Sequence, residues 1–395
     1  MARSRTVVIA GAGIGGLTLA LALIRHGFRA VVLEQAERLV ETGAGIQLSP
    51  NATAILDAIG LSARLAPLAV APEAINIMGA RTGREIARVL LGRAAALRYG
   101  APYWVVHRGD LQAALIETLQ ATPDFVLRLG WRVEDYAVHG NGITVVARGR
   151  AGTIEEHGVA LVGADGLWST MRTKLGDRRP PRFRHRTAWR ALIDADRIAP
   201  PLRAPATFLW LGADAHLVHY PVKAGRQINV VAIVRDSRPM RGWSSLGARA
   251  DLLARFSGWH DTARALLAVP ENWLTWSLNE RPSLRHWGSG PVTLLGDAAH
   301  PMLPFLAQGG AMAIEDAAVL AACLARDSDD PASALRAYEG LRRGRTARVQ
   351  RAARTNGIVY HLGGVGAGAR NLALAVRGGE ALLARYDWLY DWRAR

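Results

Sequence analysis

TVVIAGAGIGGLTLALALIRHGFRAVVLE, residues 6–34, runs from β-branched residues through a glycine cluster into an apolar stretch of helical length, then out into a second β-branched run. Strand, tight turn, helix and second strand form the opening unit of a doubly wound parallel sheet. Gly11, Gly13 and Gly16 stand as G-x-G-x-x-G, with Gly15 beside the last. In that spacing the first glycine permits the turn, the second lets backbone approach a pyrophosphate, and the third lets helix pack on strand. Free N–H groups and the positive dipole end at the helix start suit phosphate. Glu34 closes the second strand about 20 residues beyond the middle glycine, where a carboxylate accepts the hydrogens of a ribose diol. A dinucleotide site is predicted; NAD, NADP and FAD stay open.

Two later stretches repeat the construction. VALVGADGLWSTMR, residues 159–172, is an apolar strand ending in Gly163, Asp165 and Gly166. Asp165 reads equally as a helix cap or a cofactor ligand. PVTLLGDAAHPMLPFLAQGGAMAIEDA, residues 291–317, sets Asp297 just past another strand, followed by Pro301, Pro304, Gly309 and Gly310. Three such junctions would converge at the carboxyl edge of one parallel sheet, where open sheets bind ligands.

Between them the pattern changes. EAINIMGARTGREIARV and residues 132–166 read as strands joined by glycine turns, and residues 182–287 as strands rich in tryptophan. After Gly309 the chain reads mostly helical. The expectation is an α/β protein: a Rossmann-like nucleotide-binding lobe in segments 1–72, 108–181 and 288–326, substrate-lobe strands at 73–107, an inserted substrate-binding β-sheet at 182–287, and a helical C-terminus at 327–395.

Length agrees, since 395 residues exceed the roughly 250 to 300 at which one core stops growing. No stretch approaches the about 18 uninterrupted apolar residues of a membrane span. The apolar start of MARSRTVVIAGAG breaks into glycines and continues as a patterned helix, so a cytoplasmic protein without membrane attachment is expected. Cys323, the only cysteine, sits in AAVLAACLA as a core thiol, which excludes a disulfide and a multi-thiolate metal site. The net charge of +16 comes from arginines spread along the chain, Lys174 and Lys223 being the only lysines. That spread argues against a nucleic-acid partner. The densest run, residues 336–354, has the spacing of a solvated helix face.

GAGIGG with Glu34, GADG with Asp165 and GDAAHP with Asp297, in this order, resemble the single-component FAD-dependent aromatic hydroxylases of the para-hydroxybenzoate hydroxylase type. The likeness is nearest to the salicylate and 3-hydroxybenzoate hydroxylases and extends to HRGDLQAAL, residues 107–115, and YDWLYDW, residues 386–392. It implies FAD as cofactor, NADH or NADPH as cosubstrate, and oxygen transfer from O2 to an aromatic acid through a flavin C4a-hydroperoxide. No metal is implied, and monomer and homodimer stay open. By the same resemblance Arg108 lies along the FAD, Asp297 binds its ribityl chain, and Pro301 lies near the isoalloxazine. The backbone at Gly309 and Gly310 meets the pyrimidine side, the following helix directing its positive end there.

The substrate end is read from LVHYPVKAGRQINVVAIV, residues 217–234, a hairpin turning at Lys223 to Arg226. Strand alternation puts His216, Val218 and Tyr220 on one face, and Leu217 and His219 on the other. The resemblance makes His216 the base toward the substrate phenol and Tyr220 a substrate contact, leaving His219 structural. An imidazole titrating near about 6.5 suits deprotonation of a phenol of about 10. Gln47 and Asn51 fall where such enzymes pass close to flavin or substrate, Trp189 and Trp210 are candidate pocket walls, and His300 packs beside the flavin. Two departures move the expected substrate from 3-hydroxybenzoate toward salicylate or another hydroxylated aromatic or heteroaromatic acid, 6-hydroxynicotinate included. Gly79 stands where an acid is expected, and Pro304, counted as substrate-binding, where glutamine is expected. An NAD-dependent dehydrogenase would leave GADG and GDAAHP unexplained.

Overall fold

The structure, a computed structural model, describes residues 5–39, 44–239 and 244–394. Five parallel strands form the first sheet, in the spatial order Val292–Leu294, Ala160–Gly163, Thr6–Ala10, Arg29–Glu34, Phe125–Leu129. Its central strands are buried on both faces, which explains their unbroken Val, Ile and Leu rather than an alternating pattern. The helix Ile14–Arg25 packs against the long helix Gly309–Arg326, so the first glycine turn and the GD turn are neighbours.

An eight-stranded sheet forms the second layer. Its order is Ser245–Gly247, Trp273–Glu280, Arg182–Asp194, Gln227–Arg235, Ala215–Val222, Thr207–Leu211, Ala74–Gly79, Glu85–Leu90. One face carries Trp189, Trp210, Leu217, Val230 and Trp273 into a closed core. Period two sends the intervening residues to the opposite face, toward the first sheet.

Two readings of these segments need correction. The stretch 182–287 is not all strand: the helices Arg249–Arg255 and Asp261–Ala268 cover the outer face, burying Leu252, Ala263, Leu266 and Leu267 at helical spacing. Within 73–107 two strands join the large sheet, but Trp104–His107 pairs antiparallel with Gly45–Leu48. That ribbon is tied to the large sheet by the Gly45 N–H, which donates to Asn229 Oδ1 at 2.8 Å.

Helices Pro331–Tyr360 and Gly364–Ala384 finish the fold. The second lies over the edge strand Glu85–Leu90 and covers a row of backbone groups otherwise open to pairing. The first is clipped to Gly309–Arg326 by Arg342, whose guanidinium lies 2.7 Å from both Glu315 and Asp316. Asp316 also accepts from the Gly296 N–H at 3.0 Å and meets His300 Nε2 at 2.5 Å, which holds the GD turn in place. Against burial, which would raise it, His300 and Arg342 keep the Asp316 carboxyl at about 2. No helix among the described residues is long and apolar enough to cross a membrane.

Candidate active site

A cleft of about 540 Å³ opens at the carboxyl edge of the parallel sheet, where two of the glycine junctions meet. Gly11 has φ +110°, and a Cβ there would lie 2.5 Å from the Ala164 carbonyl oxygen, so only glycine lets the first and second junctions touch. A Cβ on Gly16 would collide with the Gly11 carbonyl, and one on Gly15 would come within 2.6 Å of Leu295. Gly13 differs, with nothing within 4 Å of its Cβ position. That space is where a ligand would approach the helix N-terminus.

The acids fit a dinucleotide. Glu34 Oε2 accepts from Ala12 N–H at 2.8 Å and Oε1 from Ala36 N–H at 2.9 Å. Each oxygen keeps the capacity to accept a second hydrogen bond, and Glu34 lines the cleft. Asp165 unites its two readings: Oδ2 caps the helix Thr170–Lys174 through Thr170 N–H at 2.7 Å and Met171 N–H at 3.1 Å, whereas Oδ1 is buried without a partner. Burial pushes this carboxyl up, so a hydrogen-bond donor from a bound cofactor would relieve it. Glu34→Ala is expected to weaken FAD binding by about 10- to 150-fold, the loss of charge-assisted hydrogen bonds worth about 1.5 to 3 kcal/mol. Equilibrium dialysis measures this, and FAD retained as in the parent protein would exclude Glu34 from the site.

A second cavity of about 370 Å³ continues from the first past Gly13, Arg108 and Gly166. Arg108 lines both, at the start of the helix Arg108–Gln120. Asp297 is exposed to this cavity, and desolvation by the surrounding protein pushes its carboxyl up against the pull of His300 and Arg108. At Gly309 a Cβ would find its nearest atoms at 3.8 and 4.0 Å, leaving open space, while at Gly310 it would lie 2.6 Å from Ile46 Cδ1. The glycine pair therefore brings the helix start flush with the cavity wall.

The far wall is the large sheet. His216, Val218 and Tyr220 line the cavity, as alternation requires, with Val231 and Ile233 from the next strand. His219 lies in the outer core, stacked on Phe208 at 4.5 Å. Tyr220 packs so closely on the ribbon that a Cβ on Gly45 would sit 2.5 Å from its ring, and burial pushes its phenol up. Gln47 also lines the cavity, its Oε1 accepting from Tyr103 Oη at 2.7 Å. His216 is 2% exposed, with the rings of Phe305 and Tyr360 edge-on at 5.6 and 5.5 Å. Burial, the neighbouring His361 and then Arg186 all lower its pKa, so the imidazole is neutral.

Sequence reasoning missed Arg190. It pairs with Val231, which pairs with Val218, so its side chain shares the cavity face with His216 and Tyr220. The guanidinium carbon stands 4.0 Å from the centroid of the Trp276 ring, and Nε is buried without a partner. No carboxylate among the described residues pairs with it, and burial lowers its pKa to about 10. The available signal was an arginine in the middle of the apolar strand AWRALI.

Other expected positions fall elsewhere. Pro301 does not line the cavity; it is buried on the far side of the turn, its carbonyl accepting from Gln350 Nε2 at 2.9 Å, and Pro304 takes the place at the wall. Asn51 belongs to a buried network, donating to Glu315 at 2.6 Å and accepting from Ser49 at 2.6 Å. Trp189 and Trp210 face the outer core rather than the cavity. Gly79 lies at the β-turn after its strand, where a Cβ would meet Thr82 Oγ1 at 2.5 Å, outside the cavity lining. His300, expected beside the flavin, packs against Trp287 at 5.2 Å and does not line the cavity.

Comparison with known proteins agrees with this geometry. A family model described as an FAD binding domain matches residues 4–353. A 3-hydroxybenzoate 6-hydroxylase of Klebsiella oxytoca is 37% identical over 396 residues, covering 100% of this chain and 98% of that protein. Among solved structures, a salicylate hydroxylase substrate complex superposes with a TM-score of 0.82 at 26% identity, covering 98% of this chain and 96% of that one. Klebsiella pneumoniae HpxO complexed with FAD and uric acid gives 0.85 at 26% identity, with 96% and 95% covered.

Proposed function

This chain belongs to the FAD binding domain family as an FAD-dependent aromatic monooxygenase, and we propose that its substrate is a hydroxybenzoate whose hydroxyl and carboxylate are not adjacent, 3-hydroxybenzoate in the first place. The observation that carries this reading is the pairing of a guanidinium with no carboxylate partner among the described residues, Arg190, with a neutral imidazole, His216, on one face of one cavity. Arginine matches a carboxylate with two parallel hydrogen bonds, and imidazole accepts a phenolic proton. Their strands are two apart and their rows one step apart, which sets the Cα atoms roughly 12 Å from each other. An ortho-substituted ring presents both groups to one side and reaches one anchor; a meta-substituted ring reaches both.

Bound FAD, reduced by NADH or NADPH, supplies an oxygen atom from O2 to the ring. Glu34 would hold the adenosine ribose, the first glycine turn would serve the pyrophosphate, and Asp297 would serve the ribityl chain, with Arg108 alongside and Asp165 accepting from a hydroxyl or N–H of the cofactor. Gly309 and Gly310 let the ring system lie against the helix start. Arg190 orients the acid, Tyr220 braces the ring, and His216 takes the phenolic proton so that the ring becomes electron-rich. Met302, Leu303 and Ile46 line the cavity with apolar surface and exclude water. The 37% identical 3-hydroxybenzoate 6-hydroxylase supports the substrate class. Salicylate is the second reading, favoured by Pro304 at the wall where glutamine was expected. Use of an NAD(P)H pool points to the cytoplasm, with the chain acting as monomer or homodimer.

The test is a panel of 3-hydroxybenzoate, 4-hydroxybenzoate, salicylate, 6-hydroxynicotinate and phenol, with NAD(P)H loss, H2O2 and product measured together. The highest kcat/KM and the least H2O2 are expected with 3-hydroxybenzoate, and little turnover with phenol. Efficient hydroxylation of phenol would remove the carboxylate anchor from the proposal, and a preference for salicylate would select the second reading.

A further inference from the structure

We propose that His361 is a positioning residue for this reaction, fixing the tautomer of His216 and sharing the proton that His216 takes from the substrate hydroxyl. The proposal rests on the reading of His216 as base. His361 ends the helix Pro331–Tyr360, is 7% exposed, and sets its ring beside the strand Ala215–Val222. Its Nδ1 lies 2.5 Å from the carbonyl oxygen of Gly357, and its Nε2 lies 2.8 Å from His216 Nδ1.

A carbonyl oxygen only accepts, so the hydrogen of a neutral His361 is on Nδ1. Its Nε2 is then bare and must accept, which makes His216 Nδ1 the donor. One nitrogen of His216 is left, Nε2, and in this tautomer it is bare. Without His361, His216 is free to carry its hydrogen on Nε2 and to donate where a base has to accept.

The proton balance closes within the pair. The substrate O–H bond breaks as the bond from hydrogen to His216 Nε2 forms, and the Nδ1 proton of His216 shifts toward His361 Nε2. The positive charge is spread over two rings beside the new phenolate. The proton returns to a product oxygen when the ring regains aromaticity.

The groups facing the pair come from five segments of the chain. Arg186 on the strand Arg182–Asp194 and Arg370 on the helix Gly364–Ala384 oppose a charge on His361, while Asp214, whose backbone N–H donates to the His361 carbonyl at 3.2 Å, favours it. Phe305 and Tyr360 supply apolar ring surface. Burial, then Arg186, brings His361 down to about 4, so the resting pair is neutral and ready to accept.

His361→Ala and His361→Gln in the FAD-loaded enzyme test this, with hydroxylation of 3-hydroxybenzoate and H2O2 per NAD(P)H followed from about pH 6 to about pH 10. Glutamine offers a carbonyl to His216 Nδ1–H but takes no proton. His361→Ala is expected to lower hydroxylation by about 10- to 100-fold near neutral pH, in the manner of a lost supporting hydrogen bond, with the deficit shrinking as the phenol ionises unaided. His361→Gln should recover most of that loss, and FAD content should not change. A His361→Ala enzyme within about twofold of the parent at every pH, beside a defective His216→Ala, would remove His361 and leave the base reading standing. Normal coupling in His216→Ala would instead remove the base reading, and the pair with it. A deficit independent of pH marks a packing defect and overturns the proposal; if His361→Ala does not fold, the pH profile of His361→Gln decides in the same way.

Discussion

His216→Ala is expected to keep its FAD and to lose hydroxylation by about 10²- to 10⁴-fold, the contribution of a positioned base. His216 does not line the dinucleotide cleft, so cofactor occupancy should stay near the parent level. The ring of an un-ionised phenol is a poor target for oxygen transfer, so reducing equivalents should escape as H2O2 in proportion to the lost product. Raising the pH toward the phenol's own pKa of about 10 should recover part of the rate, because hydroxide then performs the deprotonation. The sign follows from the neutral resting imidazole: its pKa is lowered, so the base is competent throughout the neutral range and fails only under acid. Product and peroxide per NAD(P)H, measured across pH, check this. His219→Gln, altered in the outer core away from the cavity, should show no such coupling defect.

Arg190→Met should raise the dissociation constant for the aromatic acid by about 10- to 150-fold, the worth of a charged hydrogen-bonded partner of about 1.5 to 3 kcal/mol. Methionine fills the same stem against Trp276 but carries no charge. Because the guanidinium has no carboxylate partner among the described residues, replacing it relieves a buried charge without an ion-pair partner there. Thermal stability should therefore hold or rise while acid binding falls. A merely structural arginine would show the opposite pairing. Flavin fluorescence titration with 3-hydroxybenzoate, alongside a melting curve, distinguishes the two, and unchanged affinity would take the carboxylate anchor away from Arg190.

The two predictions draw unequally on the sequence. Strand alternation alone placed His216 and Tyr220 on a shared face with His219 opposite, since a period of two is a property of the backbone and needs no partner. The same alternation, applied to AWRALI, puts Arg190 on a face, but which face looks inward depends on the pairing of Arg190 with Val231 and of Val231 with Val218. Trp189 and Trp210 show the converse. Both read as possible walls, and pairing turned them to the outer core. Pro301, expected near the isoalloxazine, lies behind the turn Pro304–Leu306, while Pro304 stands at the wall.

By itself the sequence determined where the cofactor lobe begins and how its turns are built. G-x-G-x-x-G, GADG and GDAAHP are local solutions to a local problem, the passage from strand to helix beside a ligand, and the glycines at 11 and 16 are dictated by contacts within a few residues or by the neighbouring strand, while Gly13 leaves open space. Tertiary structure decided which of these side chains meet in the cavity. His361 stands 145 residues from His216, and Arg190 shares the cavity face of His216 across an intervening strand. Such meetings arise from strand order, register and the return of the C-terminal helix. Nothing in the residues flanking a side chain encodes which distant group will complete its hydrogen bonds, because burial, unlike turn geometry, is a property of the whole chain folded together.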